Sequence, residues 1–338
     1  MGKDIISQNI LIIKPGAIGD LIQLTPVIRA LAKRYPDSRI SLLVGTHATA
    51  TLFKYNPYVA ETMVFDRRGE HGSLSSLLKL WRHLRRMKYN LVINFQRSNL
   101  RTWFLATAAL PCRVLVYHKA RNLSVHVVDN YLDTLKRLGI SGQNRNLELA
   151  VGDENERFAE ELFSLNGYSG KIVIALNPGA SHPVNRWSVD RFAALADTLV
   201  KDLSARIIII GGPEDIVLAE AISSATASQP LMLCGNLTLL QLGAVLKRCS
   251  LLISGDTGPL HLATAVGAPV VALFGAADPA RTGPVGPGHR VIQAEGVACR
   301  PCRRRVCTNS VDRECMNKIS IQNVADAVKD IARPERTK

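Results

Sequence analysis

The stretch KPGAIGD, residues 14–20, places an acid where an aliphatic strand turns into an amphipathic run. Gly16 and Gly19 permit a tight turn and let a ligand approach the backbone closely. Asp20 could cap the helix that follows by accepting backbone N–H groups, and the local sequence alone favours that role. It could instead act as a general base that takes a proton from a substrate. The choice depends on which other groups the fold brings to this turn.

A second glycine turn, NPGASHPVNRW at 177–187, also follows an aliphatic strand. Gly179, Ser181 and Arg186 supply backbone N–H, hydroxyl and guanidinium groups, which suit a phosphate. An ordinary loop with a surface arginine explains the same residues equally well.

A third turn, GGPED at 211–215, brings two glycines next to two acids. Glu214 or Asp215 could bind a pair of ribose hydroxyls, as acids do at such positions, and Glu214 is our candidate. An acid that merely opens a helix is at least as frequent.

The fourth turn begins SGDTGPLHLATAVG, residues 254–267. Thr257 and Gly258 stand where a helix begins, and the free N–H groups of a helix N-terminus bind anions. His261 lies one turn into the same helix, close to Asp256. A histidine in a helix is often structural, but this one shares its turn with two polar residues. The four turns together predict a nucleotide-sugar site.

Strands and helices must alternate to position these turns. Aliphatic runs predict strands at 9–13, 39–45, 90–95, 113–117, 171–179, 205–212, 251–255 and 269–275. Apolar residues at helical spacing predict helices at 20–33, 74–86, 102–109, 126–138, 154–166, 188–203, 214–224, 238–248, 256–267 and 320–333. Such alternation implies parallel sheets covered on both faces. We therefore expect an α/β protein of two Rossmann-like domains facing each other across a central cleft.

A polar segment at 140–170 marks the domain junction. The expected domains are 1–168, which would bind the acceptor, and 169–320, which would bind the nucleotide sugar. Residues 321–338 form a C-terminal helix that could pack back on the first domain.

Composition limits the classes of partner. A net charge of +14 over 338 residues implies an anionic partner such as nucleic acid, a membrane face or a phosphorylated substrate. Aromatic residues make up only 5%, which argues against base stacking and hence against nucleic acid. No apolar stretch is long enough to span a bilayer and no signal peptide is evident, so we expect a cytoplasmic protein. A non-catalytic basic protein would explain the charge but not the glycine turns.

Four of the seven cysteines cluster in CRPCRRRVCTNSVDREC. Cys299, Cys302, Cys307 and Cys315 could hold a structural zinc ion, although their spacings are not those of a common zinc module. Reduced packed thiols and disulfides are the alternatives.

Two long segments carry a family resemblance. ILIIKPGAIGDLIQLTPVIRALAKRYPDSRISLLVG and SGDTGPLHLATAVGAPVVALFGAADPARTGPVG resemble the opening and the C-terminal signature of the glycosyltransferase family 9 heptosyltransferases. The resemblance implies a GT-B fold and an inverting transfer that requires no metal or other cofactor. It also implies transfer of heptose from ADP-heptose to the inner core of lipopolysaccharide. The alternative is a related transferase with another nucleotide sugar or acceptor.

By position, the resemblance gives Asp20 the role of general base. It gives Thr257 and Gly258 the backbone site for the donor phosphates, and it places Asp256 and His261 beside them. Which heptose is added does not follow from it.

The chain departs from the family pattern at two places. Asn185 stands where the family often has a lysine, so that Arg186 would supply the charge for the phosphates. Asn94 stands where the family has an acid at a strand end, which leaves Arg97 and Arg101 as candidates to contact an anionic acceptor.

The basic stretch KLWRHLRRMK at 79–88 could rest on the inner face of the cytoplasmic membrane. We therefore expect a peripheral membrane protein. A solvated helix face is the alternative.

Overall fold

A computed structural model describes residues 9–67, 69–96, 100–118 and 124–332. The chain divides into two compact units, Met1–Ala150 and Val151–Lys338. Each unit is a parallel β-sheet with helices, as the alternation of elements predicts.

The first unit contains strands β1 to β5 and helices α1 to α6. The strands are β1 (Asn9–Ile13), β2 (Arg39–Val44), β3 (Val59–Val64), β4 (Leu91–Asn94) and β5 (Arg113–Val116). The helices are α1 (Ile18–Ile22), α2 (Thr25–Arg34), α3 (His47–Thr51), α4 (Leu74–Arg86), α5 (Leu100–Thr107) and α6 (Val127–Asp133), followed by a 3-10 turn at Thr134–Leu138. Across its described residues the sheet has the order β3-β2-β1-β4-β5.

The second unit contains strands β6 to β11 and helices α7 to α14. The strands are β6 (Val173–Asn177), β7 (Arg206–Ile209), β8 (Leu231–Met232), β9 (Leu251–Ser254), β10 (Val270–Leu273) and β11 (Arg290–Ile292). The helices are α7 (Asp153–Leu165), α8 (Val189–Leu203), α9 (Ile216–Ala225), α10 (Leu239–Arg248), α11 (Gly258–Ala265), α12 (Pro279–Thr282), α13 (Glu314–Asn317) and α14 (Ile321–Ala332). The described sheet has the order β11-β10-β9-β6-β7-β8.

The helix predicted at 20–33 is two helices in the structure. The α1 helix ends at Ile22, and α2 begins at Thr25 with Pro26 in its first turn. Proline has no N–H group, so it cannot continue a helix by bonding to the carbonyl four residues earlier. The hydroxyl of Thr25 donates to the Ile22 carbonyl instead, at 2.8 Å. The break leaves Asp20 in a helix of five residues rather than in a long one.

The structure divides the chain after Ala150, upstream of the boundary expected at 168. Helix α7, in which Ala159 and Phe163 are buried, packs on α10 of the second unit. An ion pair between Arg248 and Glu160 joins the same two helices.

The C-terminal helix α14 packs on α8 and on the second sheet, with Val324, Ala325 and Val328 buried. Its described residues therefore belong to the core of the second unit and do not form a third domain. None of the helices in the described ranges combines the length and the apolar character needed to cross a bilayer.

Candidate active site

The strand order reverses at one place in each sheet, between β1 and β4 and between β6 and β9. In open parallel sheets, ligands bind beyond the carboxyl ends of the strands at this switch point. The loop that carries Asp20 follows β1, and Asn94 ends the neighbouring β4. Asn177 and Ser254 end β6 and β9 and lie opposite each other. Three of the predicted turns, at 14–20, 177–187 and 254–267, therefore follow strands at the switch points, and the turn at 211–215 follows the neighbouring β7.

The carboxylate of Asp20 is held by three donors. Its Oδ2 accepts from the Lys14 ammonium at 2.8 Å and from the backbone N–H of Ala17 at 3.2 Å. Its Oδ1 accepts from the hydroxyl of Tyr131 at 3.2 Å. The side chain of Asp20 remains 38% exposed, whereas that of Lys14 is 8% exposed. Asp20 thus accepts a backbone bond like a capping residue, but the carboxylate is also open to a substrate.

A cluster of aromatic rings lies behind this carboxylate. The ring of Tyr131 packs edge-on against Phe95 and against Tyr117, each with ring centroids 5.1 Å apart. Burial raises the pKa of Tyr131 well above its usual range, and the negative charge of Asp20 raises it further. Tyr131 is therefore a neutral phenol that donates to Asp20 at neutral pH.

The predicted acceptor residues fall into two groups. Gly16 and Gly19 flank the Asp20 turn and are half-buried, and a side chain added at Gly16 would meet no atom within 4 Å. The backbone at Gly16 therefore borders open space. Arg101 lies on α5, and its guanidinium donates to the His71 carbonyl at 3.4 Å. Arg97 lies outside the described residues.

In the second unit, three polar side chains join the two central strands. The amide of Asn177 donates to the hydroxyl oxygens of Ser254 and Thr257, both at 2.9 Å. The Ser254 and Thr257 hydroxyls lie 2.9 Å apart and bond to each other. Asn177 is 2% exposed and Ser254 is fully buried, so this triangle is a fixed part of the core.

The triangle determines how α11 begins. Thr257 is the N-cap residue of α11, but its side chain makes no capping hydrogen bond to the helix. A threonine at this position usually caps the free N–H groups, and here its hydroxyl is bound elsewhere. The N-terminus at Gly258 is therefore available to an anion.

Asp256 and His261 lie together beside this helix start, as predicted. The imidazole Nε2 of His261 is 3.9 Å from Oδ1 of Asp256, and the His261 side chain is 5% exposed. The other oxygen of Asp256 accepts from the Thr282 hydroxyl at 3.0 Å. Asp256 thus lies beside the imidazole of His261 and is tied to α12 through Thr282.

Arg186 folds back on its own loop. Its guanidinium donates to the Ala180 carbonyl through Nε at 3.2 Å and Nη2 at 3.0 Å. The predicted contact residues Gly179 and Ser181 flank that carbonyl, and Ser181 is exposed. The loop therefore places a fixed guanidinium beside an exposed hydroxyl at the end of β6.

The acid that contacts this loop is Asp215 rather than Glu214. A Cβ atom built on Gly179 would lie 2.2–2.4 Å from the carboxylate atoms of Asp215, so only glycine fits there. Asp215 is 7% exposed, and its carboxylate accepts from the Gly212 N–H at 3.1 Å. Burial raises the pKa of Asp215 above its ordinary value. Glu214 is exposed.

The four clustered cysteines line one cavity of about 340 Å³, together with Val184, Arg304, Thr308, Asn309 and Glu314. All four are free thiols. Burial raises the pKa of Cys315, and the other three sulfurs raise it further. Within the described residues, no three His, Cys, Asp or Glu side chains stand where they could hold one metal ion. A structural zinc ion stays a prediction.

Sequence reasoning missed four residues of these two sites: Lys14, Tyr131, Asn177 and Ser254. The last two had a recognisable signal, because each is a polar residue that ends an otherwise aliphatic strand. Lys14 also directly follows such a strand. Tyr131 had no comparable local signal, since its partner lies 111 positions away in the chain.

Comparison with known proteins identifies the family. The family model described as glycosyltransferase family 9 (heptosyltransferase) matches residues 77–311. Lipopolysaccharide heptosyltransferase 3 of Escherichia coli is 27% identical over 284 residues, 77% of this chain and 80% of that protein. Lipooligosaccharide heptosyltransferase 2 of Campylobacter jejuni is 25% identical over 333 residues, 97% of this chain and all of that protein.

Solved structures share the fold. A family 9 glycosyl transferase from Veillonella parvula, 27% identical, superposes with a TM-score of 0.87 and covers 96% of this chain and 97% of its own. The ADP-heptose lipopolysaccharide heptosyltransferase II of E. coli, 22% identical, gives a TM-score of 0.79 and covers 96% and 98% of the two chains. The expected GT-B architecture of two parallel-sheet units is thereby confirmed. Because the family model matches more than half of its residues, this chain belongs to glycosyltransferase family 9, the heptosyltransferases, and is a glycosyltransferase.

Proposed function

We propose that this enzyme transfers heptose from ADP-heptose to the inner core of lipopolysaccharide, with Asp20 as the general base. Relatives named as lipopolysaccharide and lipooligosaccharide heptosyltransferases support the substrates. The observation that carries the mechanism is the Asp20 carboxylate, which is fixed by three donors and yet 38% exposed at the switch point of the first sheet.

The reaction is a single displacement that inverts the anomeric carbon. An acceptor hydroxyl attacks that carbon while Asp20 takes its proton, and the bond to the ADP oxygen breaks. No covalent sugar–enzyme intermediate forms, so one carboxylate is sufficient. The Lys14 ammonium holds Oδ2 of Asp20 in place at 2.8 Å.

The second unit binds the donor. The N-terminus of α11 at Gly258 faces the diphosphate with its free N–H groups, and His261 and Arg186 add positive charge or hydrogen bonds. These groups stabilise the negative charge that develops on the leaving ADP without requiring a metal. Glu214 remains the proposed ribose contact, with the buried Asp215 supporting the loop behind it.

An acidic lipid acceptor explains the basic surface of the first unit. Helices α4 and α5 pack together, with the rings of Trp81 and Phe104 stacked 6.1 Å apart. Exposed apolar side chains lie on these helices and just after them: Leu74, Leu78, Leu100, Trp103, Phe104 and Leu110. Exposed basic side chains accompany them on α4 and its C-terminal end: Lys79, Arg82, Arg85, Arg86 and Lys88. We propose that this α4–α5 surface rests on an anionic membrane face.

A screen of nucleotide sugars with deacylated core acceptors tests the proposal, using release of the nucleoside diphosphate as the readout. We expect turnover with ADP-heptose in the parent enzyme and its loss in Asp20→Asn, which keeps the size of the side chain and can still accept hydrogen bonds. Asp20→Asn should bind ADP as tightly as the parent in calorimetry. Full turnover in the variant would exclude Asp20 as the base.

Two departures from the family pattern favour a second candidate, a transferase with another sugar or acceptor. Asn94 is fully buried at the end of β4, and its Nδ2 has no hydrogen-bond partner among the described residues. The Oδ1 of Asn185 is also buried without a partner in that part of the chain. Both amides replace charged family residues. Turnover with a different nucleotide sugar in the same screen, and none with ADP-heptose, would establish this candidate.

A further inference from the structure

The hydrogen bonds to Asp20 divide its two oxygens between different partners. Lys14 and the Ala17 N–H both bind Oδ2, whereas Oδ1 receives the Tyr131 hydroxyl. A charged carboxylate oxygen has more than one acceptor position, so Oδ1 can bind a further hydrogen-bond donor beside the phenol. The carboxylate cannot rotate about its Cβ–Cγ bond without breaking all three hydrogen bonds.

Tyr131 is itself held rigidly by its surroundings. It is 3% exposed, its ring packs edge-on against Phe95 and Tyr117, and the Lys14 ammonium lies 5.8 Å from its ring centroid. Asn130, the preceding residue on α6, donates to the Tyr117 hydroxyl at 2.6 Å. Packing therefore directs the only polar atom of the Tyr131 side chain at Asp20.

We infer that Tyr131 is a positioning residue that fixes Oδ1 of Asp20 as the atom that takes the proton of the acceptor hydroxyl. The inference rests on the proposed role of Asp20 as the base. Tyr131 does not take the proton, because a buried phenol beside a carboxylate stays neutral. The titratable groups that contact Asp20 in the described residues are Lys14 and Tyr131, with Tyr117 packed behind Tyr131.

The experiment compares Tyr131→Phe with Tyr117→Phe. Both variants keep an aromatic ring and lose one hydroxyl, but only the first loses a bond to Asp20. We expect Tyr131→Phe to lower kcat about 10- to 100-fold, since a misplaced base costs this much. The acid limb of its pH–kcat profile should move to higher pH. The hydrogen bond from Tyr131 stabilises the charged carboxylate, and its removal makes Asp20 easier to protonate. Tyr117→Phe should leave that limb in place, and neither variant should change ADP affinity.

Two outcomes separate this inference from the proposed function. If Asp20→Asn is inactive and Tyr131→Phe has the kcat and pH profile of the parent, Asp20 stays the base and the role of Tyr131 is wrong. If Asp20→Asn is fully active, the proposed base is wrong as well. A lower kcat with an unshifted acid limb would make Tyr131 merely structural and would also overturn the inference.

A second substitution covers the case in which Tyr131→Phe folds poorly. 3-Fluorotyrosine introduced at position 131 nearly preserves the shape and keeps the hydroxyl, but it is a stronger hydrogen-bond donor. The acid limb should then move to lower pH, and an unchanged limb would contradict the inference.

Discussion

The side-chain amide of Asn177 lies 2.9 Å from the hydroxyl oxygen of Thr257 and holds it away from the helix that Thr257 begins. A threonine hydroxyl at this position would otherwise compete with a ligand for the first N–H groups of α11. A buried amide at the end of β6 thus helps to leave the first N–H groups of α11 uncapped by Thr257.

Asn177→Ala should therefore weaken ADP binding. The Thr257 hydroxyl would lose one of its two side-chain partners and keep the Ser254 hydroxyl, so it could turn toward the first N–H groups of α11. We expect the Kd for ADP in calorimetry to rise about tenfold, the scale of a hydrogen bond or two. Asn155→Ala is a matched control, because Asn155 is also a buried amide of the second unit, bonded to the Val151 carbonyl. An equal rise in Kd in both variants would show a general loss of stability instead.

Asp215→Asn should make the protein more stable at neutral pH. Because the pKa of Asp215 is raised, the folded state binds this proton more tightly than the unfolded chain does. The stability that the protonated Asp215 carboxyl contributes is fully present below pH 3.8, the ordinary pKa of an aspartate. It is lost as the pH rises through the raised pKa of Asp215. Thermal unfolding should show a gain in Tm of roughly 1–3 °C at neutral pH and little gain in acid.

The adjacent exposed acid provides the control and tests the ribose contact. Glu214→Gln should not change Tm at any pH, because this side chain is exposed. It should weaken ADP binding if Glu214 binds the ribose. If Asp215→Asn is less stable than the parent at neutral pH, the charged form is favoured and the argument is wrong.

Asp20→Ala should destabilise the first unit more than Asp20→Asn does. Alanine leaves the Lys14 ammonium, with a side chain only 8% exposed, without its 2.8 Å partner. We expect a loss of about 1–3 kcal/mol in the free energy of unfolding, because a buried donor loses its acceptor. Asparagine still accepts from Lys14 and should lose less. Equal losses, measured by urea unfolding, would indicate that the pair contributes little.

The sequence predicted the two parallel-sheet units because aliphatic runs and amphipathic helices alternate so regularly. It also placed the glycine turns correctly, since parallel strands end on one edge of a sheet. It did not show which of the adjacent acids Glu214 and Asp215 is exposed, because that depends on the helix start, which buries Asp215 and exposes Glu214.

Long-range contacts were beyond sequence reasoning. Tyr131 lies in a helix 111 positions from Asp20, and no periodicity links them. Pro26 argued against a single helix at 20–33, but the helical spacing of the apolar residues around it favoured one. The structure divides the chain after Ala150 rather than at 168, and the surface of α7 that packs on α10 is recognisable only when both helices are in place.

The cysteines should react with alkylating reagents in an order set by their burial. Burial raises the pKa of Cys234 and of Cys249 to about 12, and thiolates are the reactive form, so both should be inert. Cys299 is exposed and should react first, and Cys315 is buried and should react late. Mass spectrometry after timed alkylation measures the order.

Metal analysis accompanies this test. Protein purified under reducing conditions could hold one zinc ion per chain, with all four clustered cysteines protected from alkylation together. That result would contradict the expected order of alkylation and support the predicted zinc site. Staged alkylation of metal-free protein would show that the cavity is lined by independent thiols.

Charge reversal on α4 should release the enzyme from anionic vesicles. Arg82 and Arg86 are exposed on this helix, whereas Arg85 bonds to the backbone after α5 and is kept. Each basic residue near an anionic surface contributes about 1 kcal/mol, so Arg82→Glu with Arg86→Glu should weaken vesicle binding by tenfold or more. Co-sedimentation with vesicles containing anionic lipid measures the loss.

The control changes the net charge by the same amount elsewhere. Lys171→Glu with Lys201→Glu alters two exposed lysines of the second unit, so it should reduce binding only through long-range attraction. Added salt weakens the electrostatic part of vesicle binding. In the proposed contact the exposed leucines and aromatic rings of the α4–α5 surface also enter the membrane, so the parent should keep part of its binding at high salt. An equal loss in both pairs would mean that overall charge, and not this surface, brings the enzyme to its lipid acceptor.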